Sequence, residues 1–210
     1  MPIYQLFPEP VYFSKIERAW TKKELELIKG HKNKASFKNK GNTVSDDTYV
    51  LNHPTLKNLK KDLYKKVINY FNEIVCTGNS ITPYITQSWL NYTKTDQYHH
   101  RHSHPNSYIS GVFYINADKE VDKIRFHKLG TATGSGGPWP LQLNIKKVNV
   151  FNARSWWYTV QSGDLVLFPS SLIHGVDVKE GDNTRISLAF NVFLKGHVGN
   201  PKNLTELIIT

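Results

Sequence analysis

GDLVLFPSSLIH at residues 163–174 and RISLAFN at residues 185–191, joined through the turn KEGDN at 179–183, decide the architecture. In the second stretch Arg185, Ser187, Ala189 and Asn191 fall on one face of an extended strand, while Ile186, Leu188, Phe190, Val192 and Leu194 fall on the other. The apolar face belongs to a core. A polar face that opens with Arg185 and Ser187, on a strand otherwise built for burial, needs water or an anionic ligand to satisfy it. The planar fork of an arginine suits a carboxylate, and a hydroxyl two residues on can donate a further hydrogen bond. His174 precedes Arg185 by eleven residues, so a hairpin can bring its imidazole to the same cavity. The plainer alternatives are a surface ion pair of Arg185 with Asp182, and a packed core histidine at 174.

From Pro83 on, up to and through this stretch, the texture is the same. Short alternating segments run at 85–92, 108–116, 123–127, 156–160, 164–168 and 172–178, separated by clusters of Gly, Asn, Asp and Pro. That many short strands in one chain argue for an antiparallel sandwich. Parity places Gln87, Trp89 and Asn91 on one face of the first strand, and Ser110, Val112 and Tyr114 on one face of the next, and either face of each strand could be the inward one. Asn91 and Tyr114 are candidates to bond a ligand. Trp89 is a candidate floor for a substrate pocket, although filling the core is the commoner role of such a ring. The Gly-rich run at 129–140 reads as a long irregular loop, either a lid or a simple connection.

Helices are confined to the first third. Thr21 followed by Glu24 has the spacing of a capping box and predicts a helix over 21–33. From about Asn52, the residues Leu56, Leu59, Leu63, Val67, Phe71 and Ile74 recur at steps of three and four, which predicts a second amphipathic helix with its lysines off the stripe. The layout is therefore one domain over 1–210, with a helical part at about 1–80 covering one face of a β core at about 81–195.

Composition removes several classes of function. At 39% hydrophobic and 12% aromatic residues the chain is no disordered segment. No apolar run approaches a membrane span, and Glu9 with two prolines stands where a signal peptide needs an apolar stretch. A soluble, cytoplasmic protein with no membrane partner is expected. The single cysteine, Cys76, forbids an internal disulfide and any multi-cysteine zinc site, so a metal has to be held by histidines and carboxylates. The formal charge of +10 leans on the first 80 residues, which carry 14 basic and 8 acidic side chains. It favours anionic partners in general, but no basic, aromatic-interleaved RNA motif or helix-turn-helix pattern accompanies it, so specific nucleic-acid binding is not expected. Nothing in the pattern sets the oligomeric state.

Four of the nine histidines fall between His99 and His104. Alternate residues of an extended segment point the same way, so His102 with His104, or His100 with His102, can face one metal. A surface histidine patch without metal is the bland alternative.

The His102-Ser-His104 segment, the GDLVLFPS stretch that runs on to His174, and the Arg185-Ile-Ser187 strand together resemble the iron(II)- and 2-oxoglutarate-dependent oxygenases. LFPEPVY at 6–12, HSHPNSYISGVFY at 102–114 and RISLAFN at 185–191 narrow the resemblance to a group of such oxygenases in tailed phages and marine bacteria, over nearly the whole chain. The resemblance implies a mainly β fold, a double-stranded β-helix or jelly roll with N-terminal helices on one face, in a host's cytoplasm if phage-encoded. It implies a dioxygenase that uses Fe(II), 2-oxoglutarate and dioxygen to hydroxylate an unidentified prime substrate. Carried over residue by residue, His102, His104 and His174 become the iron ligands, Arg185 grips the distal carboxylate of 2-oxoglutarate and Ser187 assists. The sequence departs from the superfamily at His104, where most members have Asp or Glu. A neutral three-histidine face should hold iron(II) less tightly and favour it against iron(III). His99 and His100 could substitute as ligands or orient one from behind. The rivals are a cupin-type metalloenzyme that does not use 2-oxoglutarate, and a non-catalytic jelly-roll module whose histidines are incidental.

Overall fold

A computed structural model describes residues 2–34, 37–39, 41–78, 80–128 and 144–210. The Gly-rich run at 129–140 lies outside the described residues.

The chain opens with strand β1 (Tyr12–Lys15) and helix α1 (Lys22–Lys34). The predicted capping box is formed: the Thr21 backbone N–H donates to Glu24 Oε2 at 2.9 Å, and the Glu24 N–H donates to Thr21 Oγ1 at 3.3 Å. Burial opposes charge on Glu24. Hydrogen bonds from Thr21 and the neighbouring Arg18 guanidinium outweigh it and hold the carboxyl below its ordinary range. Short strands β2 (Phe37–Asn39) and β3 (Asn42–Val44) follow, then helix α2 (Lys57–Tyr70). Leu59, Leu63, Val67 and Tyr70 line the buried side of α2, and each contributes roughly 1.5–3 kcal/mol of apolar burial.

The predicted second helix differs at both ends. Pro54 opens a separate 3-10 turn over Pro54–Leu56, because proline suits a first turn and not a helix interior. After Tyr70 the chain widens into a π turn over Phe71–Val75, closed by the Cys76 N–H on the Phe71 carbonyl at 2.7 Å. The extra residue in that turn rotates the stripe, so Ile74 is exposed instead of buried.

Eight further strands form the sandwich: β4 (Ile81–Thr93), β5 (His99–His102), β6 (Ile109–Asn116), β7 (Lys123–His127), β8 (Ser155–Thr159), β9 (Asp164–Pro169), β10 (Ile173–Val176) and β11 (Arg185–Val198). A last strand, β12 (Leu207–Ile209), pairs with the end of β11. One sheet has the order β1-β9-β6-β11-β4-β3-β2, and the other β5-β10-β7-β8. Chain order therefore weaves between the sheets, the antiparallel jelly roll expected from the sequence.

The alternation read from β11 holds. Leu188, Phe190, Val192 and Leu194 sit in a core with Leu59, Leu63 and Val67 of α2, so the helices cover the outer face of the larger sheet. A second, smaller core lies between the sheets, built on Tyr114, Ile124, Phe126, Val160, Val166 and Phe168. Gly111 serves the helix-side core, where a Cβ would stand 2.2 Å from the Phe190 ring on the paired strand. What remains between the sheets, beyond the second core, is a cavity into which the polar face of β11 opens.

Candidate metal centre

His102 and His174 are brought together by strand register. They are directly paired residues of β5 and β10, so their side chains stand side by side on the face that looks into the sandwich. Their ring centroids are 4.4 Å apart. His104 lies two residues beyond the end of β5, where its backbone N–H donates to the Ser170 carbonyl at 2.9 Å. That bond, and the Trp89 ring 5.6 Å away, turn the His104 imidazole back over the other two. One nitrogen from each of the three rings lies within 4.8 Å of the others.

Protonation follows from the partners. A carbonyl only accepts, so the His102 Nδ1 bonded to the His100 carbonyl at 2.8 Å carries hydrogen, as does the His174 Nδ1 bonded to the Leu172 carbonyl at 3.0 Å. Both rings therefore present a bare Nε2. His174 Nε2 lies 3.3 Å from His104 Nε2. Two nitrogens binding one cation at about 2.1 Å and at a right angle would stand about 3 Å apart, so this spacing fits a shared metal.

Burial is the main cause of low basicity here, reinforced by the neighbouring rings. It lowers His174 to about 3 and His104 to about 4, and lowers His102 as well. At neutral pH the group is three uncharged imidazoles, the state in which histidine ligates metal. The donor set suits iron(II) and its neighbours among the first-row metals, although no carboxylate joins it among the described residues.

Arg185 begins β11 and is 2% exposed. This rules out the surface pair with Asp182. Its Nη2 donates to Thr93 Oγ1 at 3.1 Å and its Nη1 reaches the Lys123 carbonyl at 3.5 Å, while its Nε is buried with no partner. Burial lowers its pKa. A buried guanidinium with an unused N–H is what an incoming carboxylate would satisfy. Ser187, Asn91 and Tyr114, each nearly fully buried, line the same cavity as Arg185 and the three histidines. Asn91 also accepts from Asn42 Nδ2 at 3.4 Å, and burial pushes the Tyr114 phenol up. Trp89 lines the cavity too.

Three features differ from the sequence reading. His174 and Arg185 do not share a hairpin: β10 and β11 belong to opposite sheets, and the two side chains reach the cavity from facing walls. His99 also lines the cavity and stacks on His102 at 4.5 Å. A bulge between the paired residues of β5 and β10 turns side chains three apart to the same side, which two-residue parity cannot foresee. Finally, Lys179, which reads as a turn lysine, is buried beside Asp122 at 3.6 Å and bonded to Asn183 Oδ1 at 2.8 Å. That network braces the loop leading into Arg185. An isolated lysine before Glu-Gly-Asp-Asn carries no sequence signal for burial.

No helix among the described residues is long and apolar enough to cross a membrane. No curated protein sequence matches the chain significantly. Among solved structures it is similar to HygX from Streptomyces hygroscopicus with nickel, 2-oxoglutarate and hygromycin B bound. The identity is 13% and the TM-score 0.54, over 86% of this chain and 82% of that one. It is also similar to the non-heme α-ketoglutarate-dependent carbocyclase SnoK from nogalamycin biosynthesis (10% identity, TM-score 0.55, 88% and 80% covered). A 2OG-Fe(II) oxygenase family oxidoreductase from Burkholderia pseudomallei is a third (13% identity, TM-score 0.50, 87% and 83% covered). At these identities the likeness is one of fold. The family model described as "Putative 2OG-Fe(II) oxygenase" matches residues 87–191, half of the chain and every residue that lines the cavity. The chain belongs to this 2OG-Fe(II) oxygenase family, as an enzyme that uses Fe(II) and 2-oxoglutarate.

Proposed function

We propose that the chain, acting as one domain over 1–210, is a hydroxylase in which His102, His104 and His174 hold the iron and Arg185 holds the far carboxylate of 2-oxoglutarate. The observation that carries this reading is the pairing, across one buried cavity, of three neutral imidazoles with a guanidinium whose Nε is buried and unbonded. When bound, iron supplies the activation of dioxygen that couples decarboxylation of 2-oxoglutarate, to succinate and carbon dioxide, with insertion of the other oxygen atom into a C–H bond.

The protein's own part is positioning. Arg185 orients the dicarboxylate through Nε, and Thr93 holds the guanidinium plane so that this donor faces inward. Ser187, two residues along the same strand, adds a hydroxyl, and Asn91 and Tyr114 offer further polar contacts from neighbouring strands. Leu172 and His100 carbonyls keep Nε2 of His174 and His102 free of hydrogen and aimed into the cavity. The burial that lowers the imidazole pKa values also excludes water from the reacting centre.

Anaerobic addition of Fe(II) and 2-oxoglutarate tests metal and co-substrate together. A visible charge-transfer band that needs both components is expected. Tight iron binding with no band, and no effect of 2-oxoglutarate on iron affinity, would defeat the co-substrate assignment.

A further inference from the structure

The inner trio does not account for all the histidine chemistry at this corner of the sandwich. His99 and His100 stand beside His102 on β5, with one nitrogen of each of these three rings again within 4.8 Å of the others. The rings of His99 and His100 are 5.2 Å apart, and that of His100 lies 5.1 Å from His102. The His100 Nδ1 is buried and has no hydrogen-bond partner, a costly arrangement for a ring nitrogen unless something binds it. Both rings line an open cleft on the solvent side of β5, and His99 also lines the inner cavity.

We propose that His99, His100 and His102 form a second site for a divalent transition metal, at the boundary between the inner cavity and the open cleft, which shares His102 with the inner trio. The proposal rests on the reading that the inner trio holds metal. Since His102 Nδ1 is committed to the His100 carbonyl, the ring has one bare nitrogen, Nε2, and cannot complete both sites at once. The outer site thus competes with the inner one for a common ligand. A cation held there faces the cleft, one imidazole away from the buried position. Three imidazole donors, with no carboxylate in the set, select metals that favour nitrogen ligands, such as Co(II), Ni(II), Zn(II) and Fe(II), over Mg(II) or Ca(II).

The test is an anaerobic Co(II) titration, read by calorimetry and by the visible absorption of bound cobalt, on the intact chain and three variants. With the inner trio broken, His104→Ala/His174→Ala is expected to take up one Co(II) about tenfold or more tighter than the quadruple variant that also carries His99→Ala/His100→Ala. Equal, background uptake by those two proteins would overturn the proposal. The variant His99→Ala/His100→Ala alone should keep one Co(II) at the inner trio, within about threefold of the intact chain, because it leaves all three inner ligands in place. Loss of cobalt from that variant and from His104→Ala/His174→Ala alike would show a single merged five-histidine site and would also overturn the proposal. If instead the intact chain and His104→Ala/His174→Ala bind cobalt alike, while His99→Ala/His100→Ala binds none, the inner assignment fails and the outer one stands. Circular dichroism of the metal-free proteins confirms folding, and asparagine at 104 and 174 replaces alanine if the alanine pair melts below the assay temperature.

Discussion

The Nε2 atoms of His104 and His174 stand 3.3 Å apart, and only one of them can carry hydrogen between them. His174 Nε2 is bare because its Nδ1–H is given to Leu172, so in the metal-free protein His104 is the donor. In the proposed site, holding metal through both Nε2 atoms would require that hydrogen on His104 Nδ1, with the two rings as neighbouring ligands. Replacing His174 with Ala would then remove a proposed ligand and the acceptor of this bond together. Loss of a group behind a ligand typically costs 10–100-fold in metal affinity, so loss of a ligand itself should weaken Fe(II) by roughly a hundredfold or more. The fold should survive, since the ring borders a cavity. Calorimetry with Fe(II) and a thermal melt check both halves, and unchanged affinity would remove His174 from the set.

In the proposed site, Arg185 is the residue whose loss would separate co-substrate binding from metal binding. A charge-assisted hydrogen bond is worth about 1.5–3 kcal/mol, so Arg185→Ala should raise the 2-oxoglutarate Kd by about 10–100-fold. Iron affinity should change little, because the guanidinium faces the histidines from the other sheet. Arg185→Lys should recover only part of the loss, since an ammonium cannot reproduce the fork that uses Thr93 and the ligand together. Equal weakening of iron and 2-oxoglutarate in the alanine variant would show instead that Arg185 holds the cavity open and does not contact the dicarboxylate.

Stability of the metal-free protein should depend on pH through the buried imidazoles. His99 and His174 are lowered to about 3 and His104 to about 4, in each case chiefly by burial. The unfolded chain, with histidines near 6.5, takes up these protons first as pH falls. The contribution is therefore intact above about pH 6.5 and is lost progressively as pH drops from there towards 4. Each such histidine adds at most about 1.4 kcal/mol per pH unit to the slope. Melting temperatures of the intact chain and of His104→Ala/His174→Ala, measured from pH 7.5 to 4.5 in chelator, should diverge in slope, with the intact chain falling more steeply. Parallel curves would show that these rings are charged or solvated in the folded protein.

What the sequence disclosed and what it withheld divide along physical lines. Period-two alternation is a local property, so the grouping of Arg185, Ser187 and Ala189 on one face, of Trp89 with Asn91, and of Ser110 with Val112 and Tyr114 could be read from the string, whereas the turn of the last two groups toward the cavity, without Gln87, is set by packing against the other sheet. The capping box at Thr21 and Glu24 is equally local. A bulge is not. Whether β5 keeps its register against β10 depends on the partner strand, so the inward turn of His99 had no sequence signature. The same holds for the path from His174 to Arg185: eleven residues suffice for a hairpin or for a crossing between sheets, and only assembly of both sheets decides between them. The π turn that exposes Ile74 likewise violates a periodicity that the residues themselves satisfy.

Lys179 and Asp122 are the clearest case of a long-range partnership hidden in unremarkable loop sequence. Both side chains are essentially inaccessible, at 1% and 0%, and their charged atoms are 3.6 Å apart. Asn183 links them, accepting from Lys179 Nζ at 2.8 Å and donating to Asp122 Oδ2 at 3.0 Å. Asp122 also accepts from the Asp118 N–H at 2.9 Å, so the cluster ties the β6–β7 connection to the one that leads into Arg185. Removing one partner leaves a buried charge without its counter-ion, and Asp122→Ala should cost about 3–5 kcal/mol of stability. Lys179→Met/Asp122→Leu removes both charges together and should cost less than Asp122→Ala alone, a non-additivity read directly from denaturant midpoints. Because the network braces the approach to β11, the double variant should still raise the 2-oxoglutarate Kd while leaving Fe(II) affinity near that of the intact chain. A double variant as unstable as the single one would mean that the hydrogen bonds to Asn183 and Asp118, and not the paired charges, hold the two loops together.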